Sequence, residues 1–170
     1  MPLQLYKIAS AEVGSAGAAT IDFSSIPSGY TDIYVVASAR TNRTSAQEDS
    51  LAISFNNSTA NFTVVSVYGD GATAQTSAYT ANGAIRLVAA TDISTANTFG
   101  NSSLYIPNYA GGTNKSFSID AVTENNATTA WAFLAAGLWS QTTAINRITF
   151  TPLVGTSIKQ YSTVTLYGIL

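Results

Sequence analysis

The chain has 170 residues, of which seven are Lys or Arg and nine are Asp or Glu, giving a net charge of −2, and it contains no His and no Cys. That length suits one domain spanning 1–170. The missing residue types exclude Ser-His-Asp and Cys-His triads, thiolate or imidazole zinc sites, iron–sulfur clusters and disulfide frameworks, and seven cations are too few for a basic nucleic-acid footprint.

Read for period, the chain is a run of short strands separated by turns. Leu3 to Ala9 predicts a first strand, and the small residues of Ser10 to Gly17 predict a loop or bulge. Ala19 to Phe23 alternates, with Ile21 and Phe23 on one face, and Ser25-Ile26-Pro27-Ser28-Gly29 reads as a turn. Asp32 to Ala39, through Ile33-Tyr34-Val35-Val36, is apolar enough for a central strand. Arg40 to Asp49 reads as a polar loop. Leu51, Ile53 and Phe55 alternate with Ala52 and Ser54, a half-buried strand stopped by Asn56-Asn57. Phe62 to Tyr68 is a further strand, ended by Gly69-Asp70-Gly71, and the polar stretch Ala72 to Asn82 predicts a long surface loop.

In the second half, strands are predicted at Ala84–Ala89, Thr98–Ile106, Lys115–Val122, Ile145–Thr151 and Ser162–Leu170, with Glu124 to Thr129 as a loop. Trp131 to Trp139 satisfies two patterns. Trp131, Leu134, Ala135 and Leu138 have helical spacing, while Trp131, Phe133, Ala135, Gly137 and Trp139 alternate. The strand is favoured, because strands flank it and Gly137 is a poor interior helix residue. The expected fold is an all-β, single-domain β-sandwich of jelly-roll type with about ten short antiparallel strands.

Charge is replaced by 23 Thr, 20 Ser, 26 Ala and 12 Asn. Aromatics spread between Val and Ile argue for an ordered core rather than a low-complexity chain. A surface of hydroxyls and amides suits β-structure and close subunit packing. The longest mostly apolar run, Ala130 to Trp139, is too short for a membrane span, which needs about 20 residues. Met1 to Lys7 lacks the basic start and apolar core of a secretory signal.

No catalytic residue, metal site or cofactor is expected. The nine acids lie mostly at strand ends and in loops, and the adjacent pair Glu48-Asp49 points to opposite sides of an extended chain. Arg40, Arg43, Glu48 and Asp49 are read as ion pairs that order one loop. Asp70 between two glycines reads as a tight turn rather than a calcium ligand. Tyr68, Tyr79, Tyr105 and Tyr109 lie nearest turns, where a sugar ring can stack, although core filling is the commoner role. Both faces of the Trp131–Trp139 strand are apolar, so its second face needs cover, either from the Ala72–Asn82 segment or from another subunit. Trp131, Phe133 and Trp139 are therefore candidate subunit-interface residues.

The succession Tyr30-Thr31-Asp32-Ile33-Tyr34-Val35-Val36-Ala37-Ser38-Ala39-Arg40, Ile53-Ser54-Phe55-Asn56, Tyr105-Ile106-Pro107-Asn108-Tyr109, Ala136-Gly137-Leu138-Trp139 and Ser162-Thr163-Val164-Thr165-Leu166-Tyr167-Gly168-Ile169 resembles small virion structural proteins of tailed bacteriophages, notably marine and cyanophage ones. The Leu-Tyr-Gly-Ile ending is its most specific part. The resemblance implies a non-enzymatic virion protein, made in the host cytoplasm. The expected role is capsid decoration, as a cement protein contacting the major capsid protein. The alternative is a tail-fibre, collar or receptor-binding, lectin-like module that takes a host surface glycan. A homo-oligomer is expected, a trimer being one form, with no nucleic-acid or membrane partner.

Overall fold

The computed structural model describes residues 4–80, 86–126 and 130–170. Twelve strands and no helix occur among them: β1 (Leu5–Glu12), β2 (Ile21–Phe23), β3 (Asp32–Ala39), β4 (Glu48–Phe55), β5 (Phe62–Gly69), β6 (Ala74–Thr80), β7 (Arg86–Ala90), β8 (Gly100–Ile106), β9 (Lys115–Thr123), β10 (Trp131–Trp139), β11 (Ile148–Pro152) and β12 (Thr163–Ile169). They form an antiparallel β-sandwich. One sheet has eight strands in the order β1-β12-β3-β8-β9-β10-β5-β6, and the other has four in the order β2-β11-β4-β7.

Alternation sets which side chains enter the core. In β9, Lys115, Phe117, Ile119, Ala121 and Thr123 point inward and Ser116, Ser118, Asp120 and Val122 outward. The central strands β3 and β8 contribute Ile33, Val35, Leu104 and Ile106, and the small sheet answers with Leu51, Ile53, Phe55 and Phe150, all buried in one cluster. Among eight of the strands the pairing is nested: β1 lies against β12, β2 against β11, β3 against β8 and β4 against β7. We call these eight the body. The remaining strands, β9, β10, β5 and β6, continue the large sheet beyond it and are called the wing.

The sheets approach most closely where β7 meets β8. A Cβ on Gly100 would stand 2.6 Å from the Val88 carbonyl oxygen and 2.9 Å from the Ala89 Cα. Both are backbone atoms that cannot swing aside, so the position requires glycine.

Trp131–Trp139 is a strand, paired along its length with β5 and β9. Gly137 has a packing reason: the Phe117 ring lies where a Cβ would be, its Cζ 2.0 Å away. Asn56 and Asn57 turn the chain with left-handed φ of 51° and 62°, and the Asn56 side chain ties this turn to the Ala144 carbonyl and the Asn146 amide.

Three expectations need correction. Ala74–Thr80 is a strand rather than part of a loop. Its polar sequence reflects an edge position with little burial on either face, and Gly69-Asp70-Gly71 is the hairpin turn that leads into it. Ala81 and Asn82, at the end of that expected loop, lie outside the described residues, as do Leu3, Ala84, Ile85 and residues 127–129. The first strand runs on to Glu12, with a bulge between Lys7 and Ala9. The Arg40–Asp49 loop is shorter than expected, because Glu48 and Asp49 already belong to β4 and pair with Ala90 and Ala89.

Candidate interaction surface

The wing's outward face follows from alternation in three neighbouring strands. β5 presents Val65 and Val67, β10 presents Ala132, Leu134, Ala136 and Leu138, and β9 presents Val122. The register sets Leu134 beside Val67 and Ala136 beside Val65, so these side chains form one continuous patch. Val65 is 62% exposed, Leu134 56% and Val67 50%. Two shallow grooves cross the patch, one between Val67, Val122 and Leu134, the other between Val65, Leu134 and Ala136. Among the described residues, the one ionisable side chain on it is Asp120. Isolated exposed apolar residues are ordinary, but a contiguous group of this kind marks a contact surface.

The other face of the wing has two environments. At one end Trp139 is 2% exposed. It stacks on Phe62 and meets Phe55 edge-on at a centroid distance of 5.6 Å, while Phe55 also meets Phe117. Trp139 is thus a core residue, and its place among the candidate interface residues is corrected: intrachain aromatics occupy the surface a partner would need. At the other end Trp131 and Phe133 are half-buried. Trp131 stacks on Tyr68 at 5.0 Å, and Phe133 lies 6.5 Å from the same ring. The exposed side of β10 is the opposite one, carrying Leu134 and Leu138. Of the expected covering segment, Ala74–Thr80 does not lie over it, since β6 pairs alongside β5 in the plane of the sheet.

Leu51 and Leu87 oppose one another and point into the core, so their neighbours Ser50 and Val88 point to the other side of the small sheet. Ser50 and Val88 are buried nonetheless, because they share a cavity of about 110 Å³ with Tyr68, Tyr79, Trp131 and Phe133. Trp139 meets Phe55 on the inner side of β4, and Trp131 and Phe133 line the cavity on its outer side together with Ser50. The wing therefore wraps over the β7 edge, which explains why four consecutive β7 residues are buried.

Glu48 and Arg86 complete this cavity. Burial pushes the Glu48 carboxyl above the usual carboxylate range, with Arg43 opposing the shift. The Arg86 guanidinium sits 4.5 Å from the Tyr79 ring centroid. Among the described residues, the buried indole N–H of Trp131 has no hydrogen-bond partner.

The expected loop-ordering pairs are only partly brought together. Arg43 donates to the Glu48 carbonyl at 2.9 Å and approaches its carboxylate at 3.5 Å. Arg40 pairs with neither Glu48 nor Asp49. Its guanidinium donates to the carbonyls of Ser94, Thr95 and Thr98 and lies 3.9 Å from Asp92, clamping the β7–β8 connection. Asp49 is fully buried and accepts from the Thr41 hydroxyl and the backbone N–H groups of Ser50, Val154 and Gly155. The Arg40 contacts and those of Asp49 with Val154 and Gly155 join residues distant in sequence, so the adjacency of Glu48 and Asp49 carried no sign of them.

Asp70 accepts from the backbone N–H groups of Ala72 and Thr73, as a tight turn requires. Among the turn-proximal tyrosines, Tyr109 is fully buried and donates to the Pro27 carbonyl, and Tyr105 donates to Asp32 at 2.7 Å. Tyr68 and Tyr79 are the two that reach the cavity.

Sequence reasoning missed Lys115, which is fully buried at the start of β9. Its ammonium donates to the carbonyls of Gly111, Thr113 and Thr142, and burial pushes it below its ordinary pKa. Strict alternation with Phe117 and Ile119 was the signal that would have placed it inside. Comparison with protein-family models, with curated proteins and with solved structures finds no match.

Proposed function

We propose that the chain is a non-enzymatic structural module that works by burying surface against other proteins, and that its station is the bacteriophage virion, as a capsid decoration protein. The observation that carries the assembly reading is the wing's outward face, with Val65, Val67, Leu134 and Leu138 exposed together and Asp120, among the described residues, as its one ionisable side chain. Fully burying such a side chain stabilises by roughly 1.5–3 kcal/mol. Four that are already partly covered can together contribute several kcal/mol on docking.

The acids support the non-enzymatic part. Asp22 is held by Arg147 and Thr149, Asp32 by Tyr105 and the Asn108 amide, and Asp92 by Lys159. Each has a structural occupation in place of a cleft facing a second carboxylate. The virion station rests on the sequence resemblance alone. The jelly-roll form of the sandwich is supported by the nested pairing of the body, in which first strand meets last and second meets second-last, as when a long hairpin is rolled up.

A fibre, collar or receptor-binding role is the second reading. The aromatic cavity between the wing and β7 favours it, since Tyr68, Tyr79 and Trp131 beside Glu48 and Arg86 are residue types that hold sugars. Mass-spectrometric copy counting on purified particles separates the two. A copy number matching the shell lattice is expected for decoration. A few copies per particle would point to fibre or collar, and absence from particles would end both readings.

A further inference from the structure

We propose that two copies of this chain join edge to edge through β6, antiparallel about a two-fold axis, so that their large sheets become one continuous sheet. The proposal rests on how the four sheet edges are finished and does not depend on the virion reading. A free edge strand exposes unpaired N–H and C=O groups and recruits further strands unless it is shortened, bulged, charged or covered.

Three of the four edges carry such a device. β2 has only three residues. β7 is covered on both sides, by the core and by the wrapping wing. β1 is bulged between Lys7 and Ala9 and carries the charges of Lys7 and Glu12.

β6 has none. It runs for seven residues, Ala74-Gln75-Thr76-Ser77-Ala78-Tyr79-Thr80, without a charge or a proline. Its pairing with β5 runs from Thr63↔Thr80 to Gly69↔Ala74 with no register shift. Among the described residues nothing pairs with its other side. The edge is thus long, regular and open, where the other three are blocked.

The occupant follows from the same contrast. The hydrogen-bonding pattern of an antiparallel edge is self-complementary under a two-fold rotation, so β6 of a second copy fits it without adaptation. An uncharged strand meets its own copy without like-charge repulsion, and outward-facing Thr76 and Ala78 are small enough for close approach. Pairing β6 with β1 of another copy would instead generate a ring or an open filament, and the bulge and charges of β1 oppose that. The blocked β1 and open β6 together specify a closed dimer.

The test uses the full chain. Sedimentation velocity over a wide concentration range should give a dimer that dissociates on dilution. Thr76→Lys/Ala78→Lys should be monomeric at concentrations where wild type is dimeric, with an unchanged circular dichroism spectrum. Val65→Lys/Leu134→Lys, which alters the outward face and leaves the edge intact, should remain dimeric. Hydrogen exchange of the β6 amides in unaltered protein gives a second readout that needs no folded variant: protection should rise with concentration. A wild-type monomer throughout, a trimer or open polymer, a dimer that survives the edge charges but not the face charges, or β6 exchange independent of concentration would each overturn the proposal.

Discussion

On the body, the outward side of β1 and β12 carries Ser10 and Thr165, whose hydroxyls lie 2.8 Å apart and satisfy one another. On the wing, the same side of the same sheet carries Val65, Val67, Leu134 and Leu138. Both regions bury their inner faces through the same alternation, so the need for a core cannot explain the difference. The body closes on itself by pairing Leu51, Ile53 and Phe150 with Ile33, Val35 and Leu104. The wing uses its inner face to cover the β7 edge and leaves its apolar outer face to solvent. Under the proposed function, stability resides mainly in the first arrangement and contact with other proteins in the second. The contrast also shows that a strand apolar on both sides can have one side filled by its own chain and the other left open.

The largest expected effect is at the junction of the two regions. Phe55 contacts Phe62, Phe117 and Trp139, so Phe55→Ala should lower the unfolding free energy by about 3–5 kcal/mol, read from denaturant melts. A loss below about 1 kcal/mol would mean that the wing is not anchored there.

Next comes Asp49. Removing its carboxylate leaves the buried Ser50 amide and Thr41 hydroxyl, and the part-buried amides of Val154 and Gly155, without that acceptor, and Asp49→Ala should cost about 1–3 kcal/mol. Arg40→Ala, which unclamps the β7–β8 connection, should speed hydrogen exchange of residues 94–98 while leaving β5 and β10 unchanged.

Two pH effects are smaller and opposite in sign. Arg147 and Thr149 hold the Asp22 carboxyl below the usual range. Its stabilisation is therefore present above about pH 4 and is lost as pH falls through the depressed value. Asp22→Asn should flatten that part of the acid unfolding profile. Burial raises Glu48 instead, so the folded state resists its ionisation and stability falls as pH rises above about 4 towards the raised value. Glu48→Gln should gain a little stability at neutral pH, with the difference from wild type disappearing in acid. A loss at neutral pH would show that the Arg43 contact outweighs desolvation.

Much of the fold was legible because alternation is a local signal. Lys115–Val122 shows it, the apolar run of Asp32–Ala39 marks a central strand in the same local way, and both, with Phe62–Tyr68, are strands within a residue or so of the expected bounds. β6 was not legible: an edge strand with little burial has no apolar face to announce it, and its Ala, Gln, Thr and Ser read as loop. For the candidate site, the two apolar faces of Trp131–Trp139 were visible in sequence, but which face remained open was not. Aromatic bulk suggested Trp139, yet the rings that meet it, Phe55 and Phe62, come from two other strands. Arg40 failed as a pairing expectation for the same reason, since its true acceptors lie more than fifty residues away.

The central claim is that the body carries stability and the outward face of the wing carries docking. Val65→Lys/Leu134→Lys, measured side by side for unfolding free energy and for incorporation into particles, tests it most directly. The account predicts an unfolding free energy within about 0.5 kcal/mol of wild type, as for surface substitutions generally, together with loss of incorporation. Wild-type incorporation with unchanged stability would contradict it.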